Sequence, residues 1–85
     1  MQIEFHKYFK KQYKKSTAKI RRKFDENLII FKQDPFMPQL NNHSLTGKYV
    51  GCRSINITGD IRAVFEIRET GVRFLDIDNH NNLYK

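Results

Sequence analysis

Three short stretches of alternating apolar and polar residues, joined by two tight turns, fill the sequence between Tyr49 and Ile77. Alternation with a period of two is typical of a half-buried β-strand, and turns this short join antiparallel neighbours. The pattern therefore predicts an antiparallel meander with one face against a core. Its strands are 49–57, 61–67 and 72–77, and its turns are Thr58-Gly59-Asp60 and Glu69-Thr70-Gly71.

The middle stretch has the cleanest alternation. Ile61, Ala63 and Phe65 share one parity, so that face is expected to pack on the core, and Arg62 is expected on the other face. In the first stretch Arg53 has the parity of its apolar neighbours. Its direction stays open between a bulge and a strand with two different environments.

The N-terminal half changes from strand period to helix period at Lys7. Residues 1–6 alternate and predict a short first strand, whereas the apolar residues after Lys7 recur at helical spacing and predict a basic amphipathic helix. Ser16 and Thr17 offer a break and an N-cap for a second helix that ends before Pro35. Two helices with so short a link form an αα-hairpin whose apolar stripe needs a partner surface.

A chain of 85 residues has room for one small core. We therefore predict a single α+β domain over residues 1–85 with the order β-α-α-β-β-β. In this fold, an antiparallel meander and an N-terminal strand form the sheet, and both helices pack on one face. The other face is left for function.

Positive charge is concentrated in the N-terminal third. The chain has a formal net charge of +7, and residues 1–33 hold ten basic and three acidic side chains, whereas residues 34–85 hold six of each. Such a surface suits a polyanion such as RNA, an acidic protein partner, or simply solvent.

The remaining composition indicates a protein of the reducing cytoplasm. Cys52 has no second cysteine to pair with, and the sequence has no zinc-type spacing of Cys and His. The longest apolar run, Leu28 to Phe31, is far shorter than a membrane span, and no signal peptide is apparent. We expect no metal, no cofactor and no membrane contact.

Four sequence pieces follow one another in order within 43 residues. They are Asn42-His43-Ser44-Leu45-Thr46-Gly47-Lys48, Gly51-Cys52-Arg53-Ser54-Ile55, Gly59-Asp60-Ile61-Arg62-Ala63-Val64-Phe65 and His80-Asn81-Asn82-Leu83-Tyr84. Together they resemble the signature of the YafQ-like branch of the RelE/ParE toxin superfamily. The resemblance implies a RelE-like fold, ribosome-dependent cleavage of mRNA, and a hetero-oligomer with a cognate antitoxin protein.

The resemblance also implies which residues carry the chemistry. Metal-independent RNA cleavage needs a base for the 2′-OH, an acid for the departing 5′ oxygen, and cations for the phosphate. His80, His43 and Asp60 match the family's acid-base set. The order of their roles stays open, and each has a structural alternative, as a loop histidine or a turn aspartate.

The expected binding residues fall into two groups. Arg53, Arg62 and Lys48 are candidates for phosphate contact, and Tyr84 for stacking on a base, although arginine pairing with strand carboxylates and a tyrosine packed on the core are equally ordinary. The basic helices suit docking on the ribosome or on an antitoxin. Their candidate residues are Lys10, Lys11, Lys14, Lys15, Arg21 and Arg22.

Two departures from the family pattern leave rival functions open. Asn56 stands where the pattern often has a further histidine, and Asp78 stands where many relatives have glycine. The rivals are a ParE-like toxin that inhibits DNA gyrase without nuclease activity, and a degenerate module that only binds antitoxin or RNA. His43, Asp60 and His80 favour the RNA-cutting branch.

Overall fold

The computed structural model describes residues 1–84. Strand β1 precedes two helices, four further strands follow, and a short helix ends the described chain. The elements are β1 Gln2–Phe5, α1 Lys7–Lys15, α2 Ala18–Gln33, β2 His43–Ser44, β3 Cys52–Asn56, β4 Ile61–Arg68, β5 Gly71–Asn79 and α3 His80–Leu83.

Both long helices begin at a residue that caps them. His6 accepts the Tyr8 N–H at its ring Nδ1, at 3.0 Å, and Thr17 accepts the Ile20 N–H at its hydroxyl, at 3.2 Å. Helix α2 ends at Gln33, before Pro35. The predicted helices and the cap at Thr17 are therefore confirmed, because caps and prolines set helix ends locally.

The sheet is mixed and has the order β1-β5-β4-β3-β2. Strand β1 pairs parallel with β5, and the other pairs are antiparallel, as the meander predicts. Gly71 lies in register with Gln2, and a Cβ there would stand 1.8 Å from the Gln2 carbonyl oxygen. Glycine at this position therefore permits the β1–β5 pairing.

One face of the sheet packs on α1 and α2 around an aromatic core. Phe9, Phe24 and Phe31 from the helices pack against Phe65 and Phe74 of the strands. Large apolar side chains on both layers supply the burial that holds a domain this small together. The predicted α+β fold, with both helices on one face, is confirmed.

The opposite face is partly covered by a smaller cluster. Val64 of β4 packs there with Leu45 and Leu83, whereas its neighbour Phe65 points to the helix side, so β4 is buried on both faces. Leu45, directly after strand β2, and Leu83 of helix α3 supply the cover. Strand β2 and helix α3 were not predicted, because they span two and four residues and show no periodicity.

Within the described residues 1–84, no helix combines the length and apolar character needed to cross a bilayer.

Candidate active site

An open pocket of about 450 Å³ lies on the sheet face opposite the helical hairpin. Strand β2, the turn after it and helix α3 form its walls, so residues distant in sequence meet there. The lining residues are His43, Ser44, Leu45, Thr46, Gly47, Lys48, His80 and Tyr84. Four of the residues singled out from sequence, namely both family histidines, Lys48 and Tyr84, therefore line one site.

His43 is held at the pocket by β2. Its Nδ1 lies 2.8 Å from the Asn41 carbonyl oxygen, and its Nε2 lies 3.4 Å from Ser54 Oγ. Because a carbonyl can only accept, the neutral ring carries its proton on Nδ1 and its lone pair on Nε2. Asn41 is in the left-handed region (φ 47°), which asparagine tolerates. Sequence reasoning missed Asn41 and Ser54.

His80 is placed by the junction of β5 and α3. Asn79 caps α3 by accepting the Asn82 N–H at 2.8 Å, and the His80 N–H donates to the Asp60 carbonyl at 3.1 Å. The His80 ring meets the Tyr84 ring edge to face, with centroids 4.7 Å apart. The exposed imidazole therefore faces the pocket from a fixed backbone.

Asp60 lies beside His80 but is not part of the pocket lining. Its own N–H donates to Thr58 Oγ1 at 3.3 Å, within the turn between β3 and β4, and its side chain is exposed. Asp60 therefore serves as a turn residue, and its backbone carbonyl also accepts the hydrogen bond from His80.

The two arginines expected to hold phosphate lie outside the pocket. Arg62 donates from Nη1 to the carbonyls of Thr58 and Gly59, at 3.1 and 3.2 Å. Arg53 lies on the helix side of the sheet edge and donates from Nε to Asn42 Oδ1 at 2.7 Å. The mixed parity of the first meander strand had left the Arg53 direction open, and the structure settles it.

Tyr49 fixes the turn that carries Lys48. Its hydroxyl donates to Asp76 Oδ2 at 3.0 Å, and Asp76 Oδ1 accepts the Ile77 N–H at 2.7 Å. Burial raises the pKa of Asp76 above its ordinary 3.8, and the charge of Asp78 adds to this, whereas both hydrogen bonds and Lys48 oppose it. Burial, followed by Asp76, also raises the pKa of the Tyr49 hydroxyl. Sequence alone gave no signal of this pair.

Replacing Asp76 by asparagine should change how stability depends on pH. A raised pKa in the folded state means that ionisation of Asp76 opposes folding, so its favourable contribution is present below pH 3.8 and is lost as pH rises through the folded-state pKa. The free energy of unfolding of Asp76→Asn, minus that of wild type, should therefore increase between about pH 3 and pH 7. Urea unfolding across this range measures it. Glu69→Gln, which removes an exposed carboxylate, is the control, and a pH-independent difference for Asp76→Asn contradicts the prediction.

The two departures from the family pattern have defined surroundings. Asn56 Oδ1 is buried and has no hydrogen-bond partner among residues 1–84, whereas its backbone carbonyl accepts from Asn27 at 2.9 Å. The Asp78 carboxylate accepts from the Asn79 N–H at 2.7 Å and from the Asn82 side chain at 3.2 Å. Asp78 therefore supports the start of α3 and with it the position of His80.

The basic residues of the hairpin are divided between surface and structure. Lys10, Lys11, Lys14 and Lys15 are exposed along α1 together with Lys7, and Arg22 is exposed on α2. Arg21 instead donates to the Ser16 carbonyl and, at 3.5 Å, to that of Lys14. It therefore helps to close the α1–α2 link. In the described part of the chain, no three His, Cys, Asp or Glu residues are grouped to hold a metal ion.

The fold is similar to that of small bacterial toxins in solved structures. A YoeB/ParE toxin from Agrobacterium tumefaciens has a TM-score of 0.77 at 20% identity, covering 94% of this chain and 99% of that one. YafQ from E. coli has 0.74 at 19% identity, covering 99% and 98%. The E. coli DinJ-YafQ complex has 0.72 at 20% identity, with the same coverage of 99% and 98%.

The sequence model of the family described as "Bacterial toxin of type II toxin-antitoxin system, YafQ" matches residues 1–85, so the chain belongs to that toxin family. The resemblance drawn from the four ordered motifs is thereby confirmed. A comparison with curated proteins found no significant match.

Proposed function

We propose that this toxin is an endoribonuclease that cuts mRNA on the ribosome by acid-base catalysis, and that it acts in the cytoplasm. The observation that carries the proposal is the meeting of His43 and His80 in one open pocket with Lys48 and Tyr84. Two imidazoles can take and give a proton near neutral pH, and an ammonium can stabilise the phosphate charge.

The tautomer of His43 supports one order of the two proton transfers. With Nδ1–H donated to Asn41, the unprotonated Nε2 of His43 takes the proton of the ribose 2′-OH, and the 2′ oxygen forms a bond to phosphorus. The bond from phosphorus to the 5′ oxygen breaks, and protonated His80 gives its proton to that oxygen. The products are a 2′,3′-cyclic phosphate and a 5′-OH, so atoms and charges balance.

The remaining site residues position the substrate. Lys48 lies on the pocket wall, where its ammonium meets the growing charge on the phosphate. Tyr84 offers its ring to a base while its edge-to-face contact fixes the His80 ring. Asp60 holds the His80 backbone, and Arg62 stiffens the turn that carries Asp60.

Mapping of mRNA 5′ ends during controlled expression tests the proposal. Wild type should produce new 5′-OH ends within translated messages and stop growth, whereas His80→Ala should produce few of them. His6→Asn is the matched control, because it removes a histidine outside the pocket and keeps a side chain that can cap α1. Growth arrest with intact messages would favour gyrase inhibition instead, and absence of toxicity would favour a degenerate binding module.

A cognate antitoxin is the proposed protein partner. An apolar groove of about 420 Å³ runs between α1 and α2, and its charged lining residues are Lys10, Lys14 and Asp25. The Asp25 carboxylate accepts the Tyr13 hydroxyl at 2.9 Å. An apolar floor and a lining with more positive than negative charge suit an acidic amphipathic segment. The groove floor is formed by Phe5, Phe9, Tyr13, Phe24 and Leu28. The solved DinJ-YafQ complex supports such pairing for a relative. A short acidic reading frame next to this one, whose product neutralises toxicity, would identify the partner.

Lysines of α1 outside this groove should contribute to ribosome docking. Lys11 and Lys15 stand one helical turn apart and are absent from the groove lining. Replacing both by alanine should weaken ribosome binding and make it less sensitive to salt. The slope of the logarithm of the binding constant against the logarithm of salt concentration should become shallower by roughly 0.7 to 0.9 for each phosphate that the variant no longer neutralises. The control is the double variant Lys23→Ala with Lys32→Ala, which removes two positive charges from α2 instead. Equal slopes for the two double variants would disprove docking through α1.

A further inference from the structure

An exposed aromatic ring and an arginine form a second surface behind the active site. Phe36 leaves 63% of its surface exposed in the loop between α2 and β2, which is unfavourable for a large apolar side chain. Arg53 Cζ lies 5.3 Å from the centre of the Phe36 ring. The guanidinium covers part of the ring and leaves the rest open to solvent. We call these two side chains the Phe36–Arg53 platform.

Hydrogen bonds hold both parts of the platform. Arg53 donates from Nε to Asn42 Oδ1 at 2.7 Å and from Nη2 to the Asn42 carbonyl at 3.3 Å. Asn42 in turn donates from Nδ2 to the Pro35 carbonyl at 2.9 Å. The Phe36 N–H donates to Asp34 Oδ1, also at 2.9 Å. The ring and the cation are therefore preorganised, which lowers the entropy cost of binding.

The platform is one strand away from the pocket. Arg53 pairs in register with Ser44, which lines the pocket, and Asn42 directly precedes His43. Strand β2 is the edge strand of the sheet, so a polymer that leaves the pocket across this edge meets the platform next. The geometry fits an extended single strand better than a compact ligand.

We propose that the platform is a second nucleotide subsite, in which an unpaired base of single-stranded RNA stacks on the open side of Phe36. Arg53 keeps the ring in place and attracts the adjoining phosphate. Aromatic rings accept every base in this way, and stacked arginine adds attraction for the π-system. This inference rests on the proposed function, since it takes RNA as the polymer in the pocket.

Fluorescence of 2-aminopurine, placed in turn at each position of a short 2′-O-methyl RNA, tests the subsite. This RNA has no free 2′-OH, so the full-length toxin binds it without the proposed cleavage, and binding is measured apart from catalysis. One position, separate from the one that contacts Tyr84, should be quenched by wild type. Phe36→Leu should restore its fluorescence and weaken binding about 5- to 100-fold, in the range measured when one stacked base is no longer held.

Two further variants separate the platform from the pocket. Tyr84→Leu should release quenching at a different position, and Arg53→Lys, which keeps the charge but cannot grip both Asn42 oxygens, should weaken quenching at the Phe36 position. The subsite is disproved if Phe36→Leu leaves every position and the affinity unchanged, or if wild type does not bind the RNA. If the toxin does not cleave mRNA but still binds this RNA through Phe36, the proposed activity is disproved and the proposed subsite is not.

Discussion

His80→Ala is expected to cleave mRNA about 100- to 10,000-fold more slowly than wild type, and a sulfur in place of the scissile 5′ oxygen is expected to restore most of this activity. An alkoxide leaves only if it receives a proton, whereas a thiolate leaves without one, because a thiol has a pKa of about 8.5. If His80 is the acid, the sulfur substrate no longer needs it. Single-turnover cleavage of a ribosome-bound message that carries one 5′-thio linkage at the mapped site measures the effect.

His43→Ala is the control that separates base from acid. The 2′-OH must still lose its proton on the sulfur substrate, so the His43 variant should stay slow on both substrates. If the His80 and His43 variants respond alike to the sulfur substrate, His80 is not the acid. Rescue of His43→Ala alone would reverse the assignment that we derive from the bond between His43 Nδ1 and the Asn41 carbonyl.

The elements that sequence predicted are those with enough residues to show a period. Helix α2 has sixteen residues and a threonine cap, and β4 has eight residues of near-perfect alternation. Strand β2 and helix α3 are too short to repeat, so their existence depends on tertiary contacts such as Leu45 and Leu83 packing on Val64. These two short elements are nonetheless the ones that carry His43 and His80.

The sequence predicted the residues of the candidate site through the ordered motifs, but not the directions of their side chains. The resemblance selected His43, Lys48, His80 and Tyr84, which line one pocket. It selected Arg53 as well, because a motif records residue identity and not direction. The register pairs Arg53 with Phe65, on the helix side that Ile55 also faces. The sequence left this direction open because a charged side chain at an apolar parity also fits a bulge.

Contacts between distant residues account for what sequence reasoning missed. Tyr49 and Asp76 are 27 positions apart, and neither periodicity nor motif links them, yet their hydrogen bond fixes the turn that presents Lys48. Asn42 connects Arg53 to the loop at Pro35 in the same way. Such contacts follow from register and loop path, which the sequence does not specify locally.

Phe74→Ala should lower the free energy of unfolding by several kcal/mol. Phe74 is 0% exposed at the centre of the aromatic core, and large-to-small replacement at such a position costs about 3 to 5 kcal/mol because a cavity remains. A domain of this size is stable by only about 5 to 13 kcal/mol, so this loss is a large fraction of the total. The ring centroids of Phe5, Phe9, Phe24, Phe31 and Phe65 lie 5.9, 5.7, 5.4, 5.6 and 5.4 Å from that of Phe74.

Urea unfolding of Phe74→Ala and of Phe36→Ala measures the loss of stability. The two variants have the same chemical change, one at a buried and one at an exposed position. Phe36 is 63% exposed, so its replacement should change stability by no more than about 0.5 kcal/mol. Phe74→Leu keeps most of the volume and should fall between the two, at about 1 to 2 kcal/mol. A Phe74→Ala variant as stable as Phe36→Ala would mean that the aromatic cluster does not hold the helices on the sheet, because the packing that unites the two layers passes through this ring.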